Sequence, residues 1–192
     1  MTARWWGGVP APDVVADAHL LAAVDEALAG SGAEAEVVCT YTDPSAPFPG
    51  TGVAVRLSAE PADHAATLVA LSRTLGGPVV RSEDCENPGA QAGLAALREA
   101  AAGTAGRCLR FPGQEQVSGK LPVADLIAAT AIDELVGVGV TVTPDQLVDT
   151  RDFLRPTWSG GQLTLMVEQA AGGVLQPFEI EFPHECCGGA GH

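Results

Sequence analysis

Glu36-Val37-Val38-Cys39-Thr40-Tyr41-Thr42, followed after the turn-rich Asp43-Pro44-Ser45-Ala46-Pro47-Phe48-Pro49-Gly50 by Val53-Ala54-Val55-Arg56-Leu57, decides the fold of this chain. Both runs are dense in β-branched and aromatic residues, and a long Pro/Gly/Ser loop separates them, so they read as two strands of a hairpin. Upstream, Asp13 offers a helix cap, and apolar residues recur every three or four positions from Val14 to Leu28 until Gly30 and Gly32 intervene, which predicts a helix over 13–29. Downstream, Pro61 at a first-turn position opens a second helix that runs to Leu75 and stops at Gly76-Gly77.

Helix and strand signals continue to alternate. A short strand is expected over 78–81, an alanine-leucine helix over 91–102 ending at Gly103, and another strand over 107–111. Helical periodicity then fills 122–136, a strand follows over 138–143, and Pro144 opens one helical turn over 145–149. From Phe153 the pattern is β, with alternation over 162–168, turn residues Ala170-Ala171-Gly172-Gly173, and alternation again over 174–181. Pro177 has no amide proton, so one side of its strand must be unpaired there. These elements predict an α/β (α+β) sandwich of two or three layers, with a mixed sheet, about four covering helices and a C-terminal hairpin. The expected organisation is one domain over 1–182 and a Cys/His-rich tail over 183–192.

Composition narrows the function. Of the 192 residues, 10 are Lys or Arg and 24 are Asp or Glu, giving a formal charge of −14 that repels nucleic-acid phosphates and anionic membrane surfaces. The longest apolar stretch, 121–142, is broken by Asp125, Asp133, Glu134, Gly137 and Gly139, so neither a membrane nor a nucleic-acid partner is expected. The N-terminus lacks the apolar core of a secretion signal. An odd cysteine count, with Cys39, Cys85 and Cys108 far apart in sequence, argues against a secreted disulfide framework and for a reducing, cytoplasmic setting.

Chemistry concentrates at the end of the chain. His184-Glu185-Cys186-Cys187-Gly188-Gly189-Ala190-Gly191-His192 brings two imidazoles and two thiols together among glycines. Thiolate sulfur and imidazole nitrogen suit zinc(II) or copper(I), so His184, Cys186, Cys187 and His192 are the candidate metal ligands, with a thiol redox role for the vicinal pair as the variant reading. A protease helix of the His-Glu-x-x-His type is excluded because position 188 is glycine. Cys186-Cys187-Gly188 looks like the Cys-Cys-Gly element of cysteine-rich iron-sulfur domains, whose further cysteines this chain lacks after Cys187.

Two rival expectations stand beside the tail. One is an interaction or assembly module without chemistry, a homo-oligomer paired through an edge strand or a surface built on Trp5, Trp6 and Trp158. The other is a small enzyme with a pocket near Cys85 and Asp152, with Arg155 as a neighbour. The carboxylates Glu83, Asp84 and Glu86 would raise the Cys85 thiol pKa and disfavour its thiolate. No glycine-rich nucleotide or flavin motif occurs, and His19 and His64 read as packing or surface residues on their helices. Asp133, Glu134, Asp149, Arg151, Asp152 and Arg155 are expected to form an ion-pair network.

Overall fold

The computed structural model describes residues 4–46, 49–81 and 87–181. In chain order the strands and helices are β1 Trp5–Gly8, α1 Asp17–Leu28, β2 Ala35–Thr42, β3 Thr51–Leu57, α2 His64–Leu75, β4 Val79–Val80, α3 Gln91–Ala102, β5 Arg107–Arg110, β6 Lys120–Pro122, α4 Val123–Ala129, β7 Glu134–Gly137, β8 Leu147–Asp149, β9 Thr157–Ser159, β10 Gln162–Gln169 and β11 Leu175–Pro177. The strands join in one mixed sheet ordered β4-β1-β3-β2-β5-β9-β10-β11-β8-β6, with β7 paired to β10 off this path. This is the expected α/β sandwich, and the hairpins β2–β3 and β10–β11 are both antiparallel as their sequences imply.

Period-two alternation sorts the strand residues between two faces. Val38 of β2, Val53, Val55 and Leu57 of β3, Leu109 of β5 and Trp6 of β1 pack with α1 and α2 through Leu20, Val24, Leu71 and Leu75. Their neighbours Val37, Cys39, Ala54, Cys108 and Trp5 point the other way and pack with Ala96, Leu97 and Ala100 of α3. The first half of the molecule is therefore three layers deep. The α3-side core continues through Phe111, Leu126 of α4, Ile132, Leu154, Leu163 and Leu165 to Leu175, so one apolar cluster spans the chain from β1 to β11. Trp5 and Trp6 are core residues, at 7% and 1% exposure.

Helix α3 approaches the sheet more closely than side chains allow. A Cβ on Gly52 would lie 1.9 Å from the Ala92 carbonyl oxygen, and one on Gly7 would lie 2.2 Å from that of Gly93. Glycine on both sides lets backbone rest on backbone, and this contact sets the height of α3 above β1 and β3.

Several boundaries differ from the sequence reading. Helix α1 begins at Asp17 rather than at 13, because residues 11–14 close a separate turn with the Val14 amide on the Ala11 carbonyl; Ala16 at the N-cap has no side chain to cap with, and Asp17 in the first turn gives its carboxylate to two arginines. Helix α2 starts at His64, where Asp63 Oδ1 accepts from the Ala66 amide at 2.9 Å. The helix expected over 122–136 ends at Ala129. Thr130 Oγ1 donates to the Leu126 carbonyl and accepts from the Ile132 amide, which ends the helix, and residues 134–137 become β7, parallel to β10. Residues 138–143 are consequently not a strand. Of the helical turn expected over 145–149, residues 145 and 146 are turn and bend and residues 147–149 are β8, which pairs with β6 and β11.

Replacing Gly52 by Ala should destabilise the protein by about 1–3 kcal/mol, because the backbone of α3 must lift off the sheet. Val69→Ala, at a position 64% exposed, should stay within about 0.5 kcal/mol. Urea unfolding of both variants checks the contrast.

Candidate functional site

Strand β10 has more partners than a strand has edges. It pairs with β9 through residues 162–164, with β7 through residues 164–167, and with β11 through residues 167–169. The overlaps at Thr164 and Val167 place β7 alone on one edge, so β9 and β11 share the other. Where they diverge, the ladder forks. A cleft of about 100 Å3 opens there, lined by Arg155, Thr157, Leu165, Met166, Phe178 and Glu179, with Pro177 at its rim. Phe178 keeps the chain on β10 for one position beyond β11 by donating its amide to the Met166 carbonyl at 2.9 Å. Pro177 ends β11 beyond the single β8 pairing at Leu175, so its missing donor leaves no ladder bond broken on that side.

Charge is concentrated behind this cleft. The Arg107 guanidinium donates Nη1 and Nη2 to the two Asp17 oxygens at 2.9 Å each, a bidentate pair. Its Nε lies 2.9 Å from both Glu179 oxygens, and Nη2 also meets Glu179. Arg155 Nε donates to Asp17 Oδ2 at 2.7 Å, Nη1 donates to the Leu154 carbonyl at 2.9 Å, and the guanidinium stacks 3.9 Å from the Phe153 ring centroid. Two cations thus face two carboxylates. Arg155 is the most buried of the four side chains, at 9% exposure. Burial pushes the Asp17 carboxyl up, but the hydrogen bonds and charges of Arg107 and Arg155 outweigh it and hold the group below the ordinary 3.8.

This quartet replaces the network expected after the fourth helix. Asp133 instead accepts from the Leu163 amide at 2.7 Å, and Arg151 pairs loosely with Asp149 at 3.9 Å and donates to Gln176 Oε1 at 3.0 Å. Arg155 finds its carboxylate 138 positions away in sequence. Arg151 and Asp152 form a turn with both residues left-handed, at φ 55° and 51°, braced by Asp149 Oδ1 and Thr150 Oγ1 accepting their amides. Asp152 is exposed and is on the wall of neither this cleft nor the larger groove of about 960 Å3 beside the end of α1. In that groove Arg110 is already paired bidentately with Asp25.

The proposed metal ligands His184, Cys186, Cys187 and His192 lie outside the described residues, as does Cys85. Among the described residues no group of three or more His, Cys, Asp or Glu side chains is placed to hold a metal ion. His19 is exposed, with Nδ1 3.1 Å from the Asp13 carbonyl. His64 has more company. Its Nε2 is 3.2 Å from Glu60 Oε2, its ring stacks on Trp6, and Arg81 lies 4.9 Å over that indole.

Sequence reading misses one pairing outright. Cys39 and Cys108 face each other across β2 and β5, both buried, with Sγ atoms 2.6 Å apart. Both occupy the same alternation phase within their strands. That signal is present in the sequence, but which rungs oppose each other is not.

Asp17→Asn should remove the ion pairs that both arginines make with Asp17, leaving Arg107 on Glu179, and cost about 1–3 kcal/mol, reduced from the fully buried case because Arg107 and Asp17 are about a quarter exposed. The wild-type contribution of Asp17 is present above the ordinary carboxylate range and is lost as pH falls through its depressed folded value. Urea midpoints measured from pH 7 to pH 2.5 should therefore converge for the two proteins at the acid end. Comparison with protein-family models, curated proteins and solved structures returns no match to this chain.

Proposed function

We propose that this protein binds a thiophilic metal ion, zinc(II) or copper(I), through His184, Cys186, Cys187 and His192, with the α/β body as its carrier. The observation that supports the reading is the donor set itself. Two thiols and two imidazoles within nine residues match the four-ligand shell of a structural zinc site, and three of them suffice where one position exchanges. The described body adds an anchor. Glu179, five positions before His184, is fixed to Arg107, so the chain enters its ligand-bearing segment from a held point beside the fork. A chain carrying a formal charge of −14 also draws cations toward its surface.

Ligation by this set requires deprotonated thiols and neutral imidazoles, so binding releases protons and weakens in acid. Protein purified with zinc present should carry ~1 ion per chain and lose it on Cys186→Ser/Cys187→Ser. Occupancy should fall as pH drops below about 6, where imidazoles protonate. Elemental analysis after gel filtration is the measurement, and equal metal content in the double variant overturns the reading.

A second reading, self-association, has one observation in its favour. Met166 and Phe178, at 45% and 53% exposure, both line the fork cleft and present apolar surface to solvent. Edge pairing is poorly served at the two ends of the strand path, the two-residue β4 and the Lys- and Pro-containing β6, and β7, paired to β10 alone, adds an edge of four residues. If the cleft carries association, Phe178→Ser shifts the protein to monomer in light scattering, whereas an unchanged mass rejects it.

A further inference from the structure

Cys39 and Cys108 are direct partners in the antiparallel β2–β5 ladder, and both belong to the α3-side core. Register matters here more than proximity alone. Directly opposed antiparallel residues have Cα atoms roughly 4.5–5.5 Å apart, inside the span of about 4.4–6.8 Å that disulfide bonds bridge. The sulfurs already lie 2.6 Å apart, so closing the bond asks for an approach of about half an ångström and no movement of either strand. The rung is also held from outside the pair. The Cys108 amide donates to the Pro156 carbonyl at 2.8 Å, on the side of β5 away from β2.

We infer that Cys39 and Cys108 are an oxidisable dithiol, a modification site in the core that closes into a cross-strand disulfide. The oxidant is a small-molecule disulfide such as oxidised glutathione. One cysteine thiolate attacks it, a sulfur–sulfur bond forms to the protein, and one reduced thiol leaves with the electron pair. The second cysteine then attacks that mixed disulfide, closing the protein bond and expelling the second reduced thiol. The two protons lost by the cysteines are taken up by the two released thiolates.

The environment fixes when this happens. Both thiols are buried, so neither sulfur is reachable in the folded interior, and the hydrogen bond with Cys39, followed by burial, pushes the Cys108 thiol far above its ordinary range. Exchange therefore proceeds as the chain folds or reopens, and the native register then selects the intramolecular product over a glutathione adduct.

Refolding the Cys85→Ser/Cys186→Ser/Cys187→Ser variant in a glutathione buffer tests the site without any contribution from the tail, so it stands or falls independently of the metal reading. The folded product should be about 2 Da lighter than the dithiol and free of glutathione. Its disulfide should be favoured on the order of a hundredfold more in buffer than in concentrated urea, because the folded register supports it. Recovery of two free thiols, a glutathione adduct, or equal preference in urea overturns the inference. Should the triple variant not fold, tryptic mapping of the unmodified chain decides between the same outcomes. Residues 108–110 joined to residues 5–56 through sulfur support the site, and their absence after oxidative refolding rejects it.

Discussion

One edge of β10 serves two strands, and that constraint organises the second half of the molecule. An eight-residue strand that gives its first residues to β9 and its last to β11 must leave a gap where the two diverge. Strand β9 continues to β5 and thus to the three-layer half, whereas β11 continues to β8 and β6. The gap is a seam between two sheet regions that share one apolar core. Arg155 precedes β9 and Glu179 follows β11, so the chain segments that flank the fork carry opposite charges into it.

Asp17 completes the seam from a third direction. It sits in the first turn of α1, where a carboxylate also complements the exposed amides of the helix start, and it receives hydrogen bonds from Arg107 and Arg155. Arg107 then reaches Glu179. Four residues from four separate segments therefore neutralise one another at the point where sheet pairing is weakest. In a protein with 24 acidic and 10 basic residues, directing two arginines to one half-buried locus marks it as a place where cation placement matters more than surface balance.

Much of the fold is legible in the sequence because local and global signals agree. The alternation in residues 35–42 and 51–57 matches their division between the two faces, and Gly76 and Gly103 end α2 and α3 in left-handed conformations as helix-stopping glycines do. Residues 123–137 defeat a local reading because Val123, Leu126, Ile132 and Leu135 fit a helical stripe and also fit a short helix followed by a strand. The arbiter is tertiary: β10 offers a free edge to residues 134–137, and a parallel partner cannot be seen in sequence. The same holds for the site. Charged residues are visible singly, but Asp17, Arg107 and Arg155 meet across 90 and 138 positions, and no periodicity encodes such pairs.

The cysteines illustrate how environment divides one side-chain chemistry into two. Cys39 and Cys108 lie in an apolar core, hydrogen-bonded to each other, where metal ligation is disfavoured for want of any nearby third donor among the described residues. Two sulfurs in that setting can join only to each other, once a small-molecule disulfide has taken up the electron pair. Cys186 and Cys187 are set instead among glycines and between two histidines, where nitrogen donors are close in sequence and the glycines let several donors address one ion. Burial without histidine favours sulfur–sulfur chemistry, and histidine with glycine favours coordination, so the two reactions proposed for the two thiol pairs differ because their neighbours differ.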